Sequence, residues 1–292
     1  MTNPGVPDSR FITIDNLKLH YLEWGDPGKP VLLFLHGLSG CAFDWVYTAG
    51  FLQDTFRCIA LTNRGHGDSQ WAEVSRYTFQ DFAVEIALFL DALAIKELSV
   101  LGSSMGGLNG IYYAATHPER VKKLIVSDVP PEFNAEWMGR WPLILQGVRS
   151  HFSSFEEFFE LMRMTRDPLA TEEKVRGFAS YATKTLPDGR IAWKHDVEME
   201  KTFYRAFIRD SRSLLQGGVP EVNWWYFLSM VRCETMLLRG GESTLLDHEM
   251  ILKMTAAMQR AEMREVEGSD HVLFWDKPDE FNAIVKEFLT RK

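Results

Sequence analysis

A chain of 292 residues, 46% hydrophobic and 25% charged, is long enough to bury one large α/β core and has the composition of an ordinary globular enzyme. A net charge of −8 leaves no basic stripe to neutralise phosphates, which argues against nucleic acid as a partner. No apolar run approaches the ~18 residues of a membrane span, and the polar, turn-rich start from Met1 to Asp8 lacks the regions of a signal peptide.

Residues 11–24 alternate apolar and polar on either side of Asp15-Asn16, the pattern of a β-hairpin. Pro30 to Leu35 reads as an apolar strand ending in His36-Gly37, and a helix follows over about Phe43 to Asp54. Phe56 to Thr62 is the next strand, and it leads into the polar loop Asn63-Arg64-Gly65-His66-Gly67-Asp68-Ser69. Thr78-x-x-Asp81 is a capping-box signal, behind which Phe79, Phe82, Ala83, Ile86, Leu90 and Leu93 recur at helical spacing. Leu98 to Leu101 is a buried strand, Gly107 to Ala115 a helix, and Val121 to Ser127 a further strand ending at Asp128. Apolar strands alternating with amphipathic helices imply right-handed crossovers and a mainly parallel sheet, with sites at the carboxyl ends of its strands.

The rhythm changes after Pro130-Pro131. From there to about Arg232 no strand is predicted. Aromatic-rich helices are expected behind a Ser153-x-x-Glu156 cap, then over about Thr171 to Leu186, Val197 to Asp210 and Pro220 to Val231. Strands resume at Thr235 to Arg239 and Met263 to Val266, and a helix over Phe281 to Leu289 closes the chain. The simplest division is a core of residues 1–129 and 233–292, with residues 130–232 as a helical cap over the sheet's carboxyl edge.

Chemistry concentrates at Gly102-Ser103-Ser104-Met105-Gly106. A G-x-S-x-G pattern arises by chance in roughly one chain in ten of this length, so its meaning rests on context. Here the context is strand, pattern, helix, which makes Ser104 the centre of a nucleophile elbow. The alternative is a glycine-containing turn whose serine caps the helix. A serine hydroxyl needs a base, and His271, beyond the last predicted strand in Gly268-Ser269-Asp270-His271, is placed at the same sheet edge. An oxyanion needs two donors: the backbone N–H of Met105, and one from the loop after His36-Gly37, where Leu38 is the candidate. The three cysteines (Cys41, Cys58, Cys233) read as reduced thiols of a cytoplasmic protein. Neither they nor the eight histidines have metal-site spacing, so neither metal nor cofactor is expected.

Together these residues resemble the α/β-hydrolase fold family over essentially the whole chain: the two-strand opening, His36-Gly37, Arg64-Gly65-His66-Gly67-x-Ser69, the elbow, Asp128 and Gly268-x-x-His271. The resemblance implies a mostly parallel, twisted, eight-stranded sheet flanked by helices, with an inserted helical cap. It also implies a Ser–His–acid triad, with the acid usually following the strand that ends here at Arg239. In Gly241-Glu242-Ser243-Thr244 a threonine stands at that place, and a threonine cannot stabilise an imidazolium as a carboxylate does. Asp128, at the end of the strand after the nucleophile's, is the first candidate for the acid, with Glu242 and Asp247 as alternatives. Asn63 stands where many relatives carry an acidic residue.

The insert's large apolar side chains, among them Trp137, Trp141, Trp224 and Trp225, suggest a mostly apolar pocket over Ser104. The expected activity is hydrolysis of a medium-sized hydrophobic ester or lactone. Two readings compete with it. One is a C–C bond hydrolase acting on a ring-fission product, whose sign would be a buried arginine (Arg140, Arg149, Arg163 or Arg205) against a substrate carboxylate. The other is a ligand-binding, non-catalytic homologue, suggested by Thr244. A homo-oligomer is compatible with the sequence.

Overall fold

Asp15 and Asn16 accept left-handed φ angles of 48° and 63°, and so close a two-residue turn between β1 (Asp8–Ile14) and β2 (Leu17–Trp24). The computed structural model describes residues 5–140, 148–165 and 171–291. Beyond the hairpin, β3 (Val31–Leu35), β4 (Arg57–Leu61), β5 (Leu98–Ser103) and β6 (Val121–Ser127) are joined by helices. In β3, Leu33 and Leu35 face one core cluster while Leu32 and Phe34 face another, so the apolar run is a strand buried on both sides.

The described residues between β6 and β10 (Glu234–Gly240) add no strand to this sheet, which β11 (Ala261–Val266) completes. The eight strands lie in the order β1-β2-β4-β3-β5-β6-β10-β11. β1–β2 and β2–β4 are antiparallel, and every other pair is parallel. This is the α/β architecture expected from the alternation of elements. The helix Phe79–Ala92 begins at Thr78, whose side chain accepts from the Asp81 N–H as the capping signal implied.

The long segment over the sheet departs from expectation in one respect. It is not purely helical: β7 (His151–Phe152), β8 (Thr183–Thr185) and β9 (Ile191–Trp193) form a small antiparallel sheet in the order β7-β9-β8. These strands are two or three residues long, too short for period-two alternation to register in sequence. Its helices are Phe155–Thr165, Glu172–Ala182, Val197–Leu215 and Trp224–Met230. The cap of the first lies one residue further on than expected, since the Ser154 hydroxyl accepts from the Glu157 N–H. Phe158, Phe159, Val175 and Phe178 pack with Phe274 and Trp275, while Phe133, Phe207 and Ile208 join the cluster on the other side.

Two glycines permit the turn after β5. A Cβ on Gly102 would lie 2.2 Å from the Gly106 carbonyl oxygen, and one on Gly106 would lie 2.2 Å from that of Leu35. Both neighbours are backbone and cannot swing aside. Gly106→Ala is therefore expected to destabilise the protein by about 3 kcal/mol, at the upper end of overpacking costs, as read from urea unfolding followed by circular dichroism.

Candidate active site

Ser104 connects β5 directly to the helix Met105–Thr116 with φ 53° and ψ −124°, a conformation costly for a residue with a Cβ. Its backbone holds the strain in place: the N–H donates to Ser127 C=O (2.9 Å), and the carbonyl accepts from Gly107 and Leu108 (2.8 and 3.1 Å). The hydroxyl caps nothing, which removes the helix-cap alternative. Ser104 is half-buried, and it lines a cavity of about 730 Å³ shared with His271, Gly37, Leu38 and Met105.

His271 lies on the loop between β11 and the helical turn Leu273–Asp276. Its Nδ1 is 2.8 Å from Oδ2 of Asp128. Asp128 is completely buried, and its carboxylate has two other donors, the Gly240 N–H to Oδ1 (3.1 Å) and the Ser243 hydroxyl to Oδ2 (2.7 Å). With the carboxylate accepting at Nδ1, that nitrogen carries the hydrogen and Nε2 is left as the basic one. Of the three acids considered, Asp128 is therefore the one against the imidazole. Glu242 is exposed, and Asp247 caps the helix His248–Ala257 by accepting from the Met250 N–H (2.7 Å). Thr244 lines the cavity, and its carbonyl accepts from the Trp137 indole.

The Leu38 and Met105 N–H groups donate to no protein acceptor among the described residues. His36 sets the loop that carries the first: its Nε2 accepts from the Asn63 N–H (3.0 Å), so Nδ1–H donates to Gly37 C=O (2.8 Å). Asp44 supports the other end, with Oδ2 accepting from the Cys41 N–H (3.2 Å). Sequence reasoning passed over Ser243 and Asp44. Ser243 stands immediately before the conspicuous Thr244, and only the fold reveals which of the two hydroxyls turns inward.

Of the four tryptophans assigned to the pocket, Trp137 lines it and Trp141 falls outside the described residues. Trp224 is instead core, buried against Phe79 at a centroid distance of 4.5 Å, and Trp225 packs against the same cluster. Their place in the wall is taken by Phe133, Phe152, Trp193, Phe203, Phe207 and Trp275. Arg140 and Arg149 line the cavity but are half-exposed and paired with Glu136 and Glu157; Arg163 and Arg205 do not line it. Among the described residues no group of three His, Cys, Asp or Glu side chains is placed to hold a metal ion, and no helix is long and apolar enough to cross a membrane.

Residues 30–278 match the model of the alpha/beta hydrolase fold family. The chain belongs to the α/β-hydrolase family. Among curated relatives of this hydrolase, it is 23% identical to epoxide hydrolase 1 of Caenorhabditis elegans over 290 residues, covering 97% of this chain and 70% of the relative. It is 25% identical to the 3-hydroxybutyrate-oligomer hydrolase of Cupriavidus necator, covering 94% and 93% of the two chains. The solved structure of E-2-(acetamidomethylene)succinate hydrolase superposes with a TM-score of 0.83 at 21% identity, over 98% of this chain and 100% of that one. The hydrolase thus shares its fold with enzymes whose names span several kinds of bond.

Burial lifts the Asp270 carboxyl above its ordinary range, with the neighbouring His271 pulling the other way. The folded chain consequently holds this proton to higher pH than the unfolded chain, and ionisation at neutral pH works against folding. Asp270→Asn should raise the thermal midpoint at neutral pH. The gain should shrink as pH falls through the raised folded-state range and be gone once pH is below the unfolded carboxylate range, in melts compared across pH.

Proposed function

We propose that this hydrolase cleaves a carboxylic ester or lactone of a medium-sized hydrophobic substrate through an acyl-enzyme on Ser104. The observation that carries the reading is the strained Ser104 turn opening into the cavity that also receives His271, whose Nδ1 is engaged by Asp128. His271 Nε2 takes the Ser104 proton as the hydroxyl oxygen attacks the carbonyl carbon. The oxyanion receives the Leu38 and Met105 N–H groups. Collapse breaks the bond to the alkoxide, which leaves with the proton from His271. Water, deprotonated by the same nitrogen, then releases the acid and frees Ser104. Asp128 keeps the imidazole in its working tautomer and balances the imidazolium. Residues 130–232 act as the cap whose aromatic wall receives the apolar body of the substrate. A volume of about 730 Å³ suits a small molecule, within the ~300–1,000 Å³ usual for such sites.

Several relatives are named epoxide hydrolases. Attack of a serine oxygen on an epoxide would give an ether, with no electrophilic carbonyl for water to attack, whereas an acyl-serine is readily hydrolysed. The residue type at position 104 therefore favours acyl transfer. A C–C hydrolase reading is weakened by the arginines, since the two that reach the cavity among the described residues are engaged by surface glutamates. A purely binding role drew its force from Thr244, and Asp128 supplies the carboxylate that Thr244 lacks.

Ser104→Ala is expected to reduce kcat on a p-nitrophenyl ester by on the order of 10⁶, and a fluorophosphonate should label Ser104 alone by peptide mass mapping. Asp128→Asn should lower kcat by roughly two orders of magnitude or more, whereas Glu242→Gln stays within about twofold. Equal losses in those two variants would remove Asp128 from the triad.

A further inference from the structure

The start of the helix Val197–Leu215 is fastened to the core at several points. The Asp196 N–H donates to Gly65 C=O (2.7 Å), and its carboxylate accepts from the Tyr77 hydroxyl (3.0 Å) and the Glu198 N–H (3.0 Å). The Trp71 indole donates to Lys194 C=O (2.9 Å), and Lys194 Nζ pairs with Asp68 (2.8 Å). One turn into the helix, Glu200 reaches the wall of the cavity that holds Ser104. Met199 beside it packs with Met105, Leu38 and Phe203, so this end of the helix lies against the two oxyanion segments.

Glu200 is held from behind by a buried histidine. His195 is 2% exposed, its ring is 4.4 Å from that of Trp193, and its Nε2 lies 2.9 Å from Glu200 Oε2. Nδ1 of His195 has no hydrogen-bond partner among the described residues. A proton there would be a buried donor without an acceptor, so the ring hydrogen sits on Nε2 and is donated to the carboxylate. This leaves Glu200 Oε1, which takes no protein partner among the described residues. No lysine lines the cavity among those residues, and its two arginines are half-exposed and spoken for by glutamates. Among the described residues the cavity's other carboxylates outside the triad are Asp44, which accepts from the Cys41 N–H, and Asp270, whose carboxyl burial holds towards its neutral form, so Glu200 is the acid presented by the helical segment to an otherwise largely aromatic wall.

We propose that Glu200, oriented by His195, determines specificity by binding a protonated amine on the substrate, so that the ester or lactone cleaved carries an ammonium group on an otherwise apolar body. The inference rests on the acyl-transfer reading of Ser104. A cation fits better than a hydroxyl because both would donate to Oε1, but only the cation also gains from the charge of a carboxylate that no lysine or buried arginine of the described cavity lining neutralises. His195 acts as a positioning residue, spending the oxygen that would otherwise let the carboxylate rotate away.

The test compares p-nitrophenyl esters of one chain length ending in ammonium, hydroxyl, methyl or carboxylate. The wild-type protein is expected to favour the ammonium over the methyl ester by roughly 10- to 100-fold in kcat/KM, chiefly through KM, and to reject the carboxylate. In Glu200→Gln the ammonium-to-methyl preference should fall at least tenfold, while Glu198→Gln, two positions from the N-cap Asp196 and exposed, keeps it. A wild-type preference for methyl or carboxylate, or a preference unmoved by Glu200→Gln, overturns the proposal. Binding separates the two readings: an n-alkylammonium ion should raise the thermal midpoint of the wild type and of Ser104→Ala more than the matching alkanol does. That result without turnover of any ester would sink the acyl-transfer reading and leave the amine site standing. Ester turnover with no ammonium advantage in rate or binding would do the reverse.

Discussion

A carboxylate with no exposed surface is costly unless donors meet it from several sides, and Asp128 has three: a β10 backbone N–H, the Ser243 hydroxyl and the His271 ring. Two come from the turn that ends β10 and one from the loop beyond β11, both far along the chain from Asp128. The buried charge therefore ties the end of β6 to the end of β10 and to the loop beyond β11, and the imidazole orientation follows from where that charge must be satisfied. Asp128 itself sits at φ 47°, held by its N–H to Leu238 C=O (2.8 Å). The hydroxyl of Ser243 does more than fill a lone pair, since it also accepts from the Leu245 and Leu246 N–H groups and so shapes the turn that carries Thr244.

Register brings Ser104 to this acid. Ser103 of β5 pairs with Ser127 of β6, so Ser104 and Asp128 leave the sheet as adjacent residues at its carboxyl edge. Both take positive φ there, and each is braced by a backbone hydrogen bond to the neighbouring strand: Ser104 to Ser127, Asp128 to Leu238. Two strained residues side by side are stable only because the sheet is continuous beneath them from β3 to β10. The glycine contacts at Gly102 and Gly106 have the same origin: the helix must start almost against β3 for the serine to stand clear of the sheet.

The elements of this core were legible in sequence because fully buried parallel strands are short apolar runs and the helices between them keep a clean period. That Ser104 and His271 meet at one edge of the sheet was legible because both lie just beyond strand ends, which the runs mark. Asp128 could be ranked but not fixed, since what distinguishes it from Glu242 and Asp247 is burial and three donors brought from distant positions. The pocket was read least well. Trp224 and Trp225 occupy one helix, and helical periodicity cannot say whether its aromatic face meets the cavity or the core; contact with Phe79 decides for the core. The small sheet β7-β9-β8 was illegible for a related reason, as two or three residues carry no period.

The segment over the sheet is tied down at both flanks of the cavity, which bears on how selectivity arises. On one side Asp196 and Lys194 bind the loop from Gly65 to Trp71, giving the Arg64-Gly65-His66-Gly67 stretch a mechanical task. On the other, Phe178 packs on Trp275 at 5.2 Å and the buried Lys174 ammonium donates to the Trp275 carbonyl. Burial lowers the Lys174 pKa, while Asp276 pulls it back up, and that carboxyl is itself raised by burial and linked to Asp270 through the Asp270 N–H. Two stapled flanks make a wall whose shape and charge are set before substrate arrives, so discrimination falls to the fit of an apolar body and to the few fixed polar atoms among the aromatics. In such a wall a single oriented carboxylate weighs more than it would on a mobile loop, because no ordering cost is left to subtract from its contact.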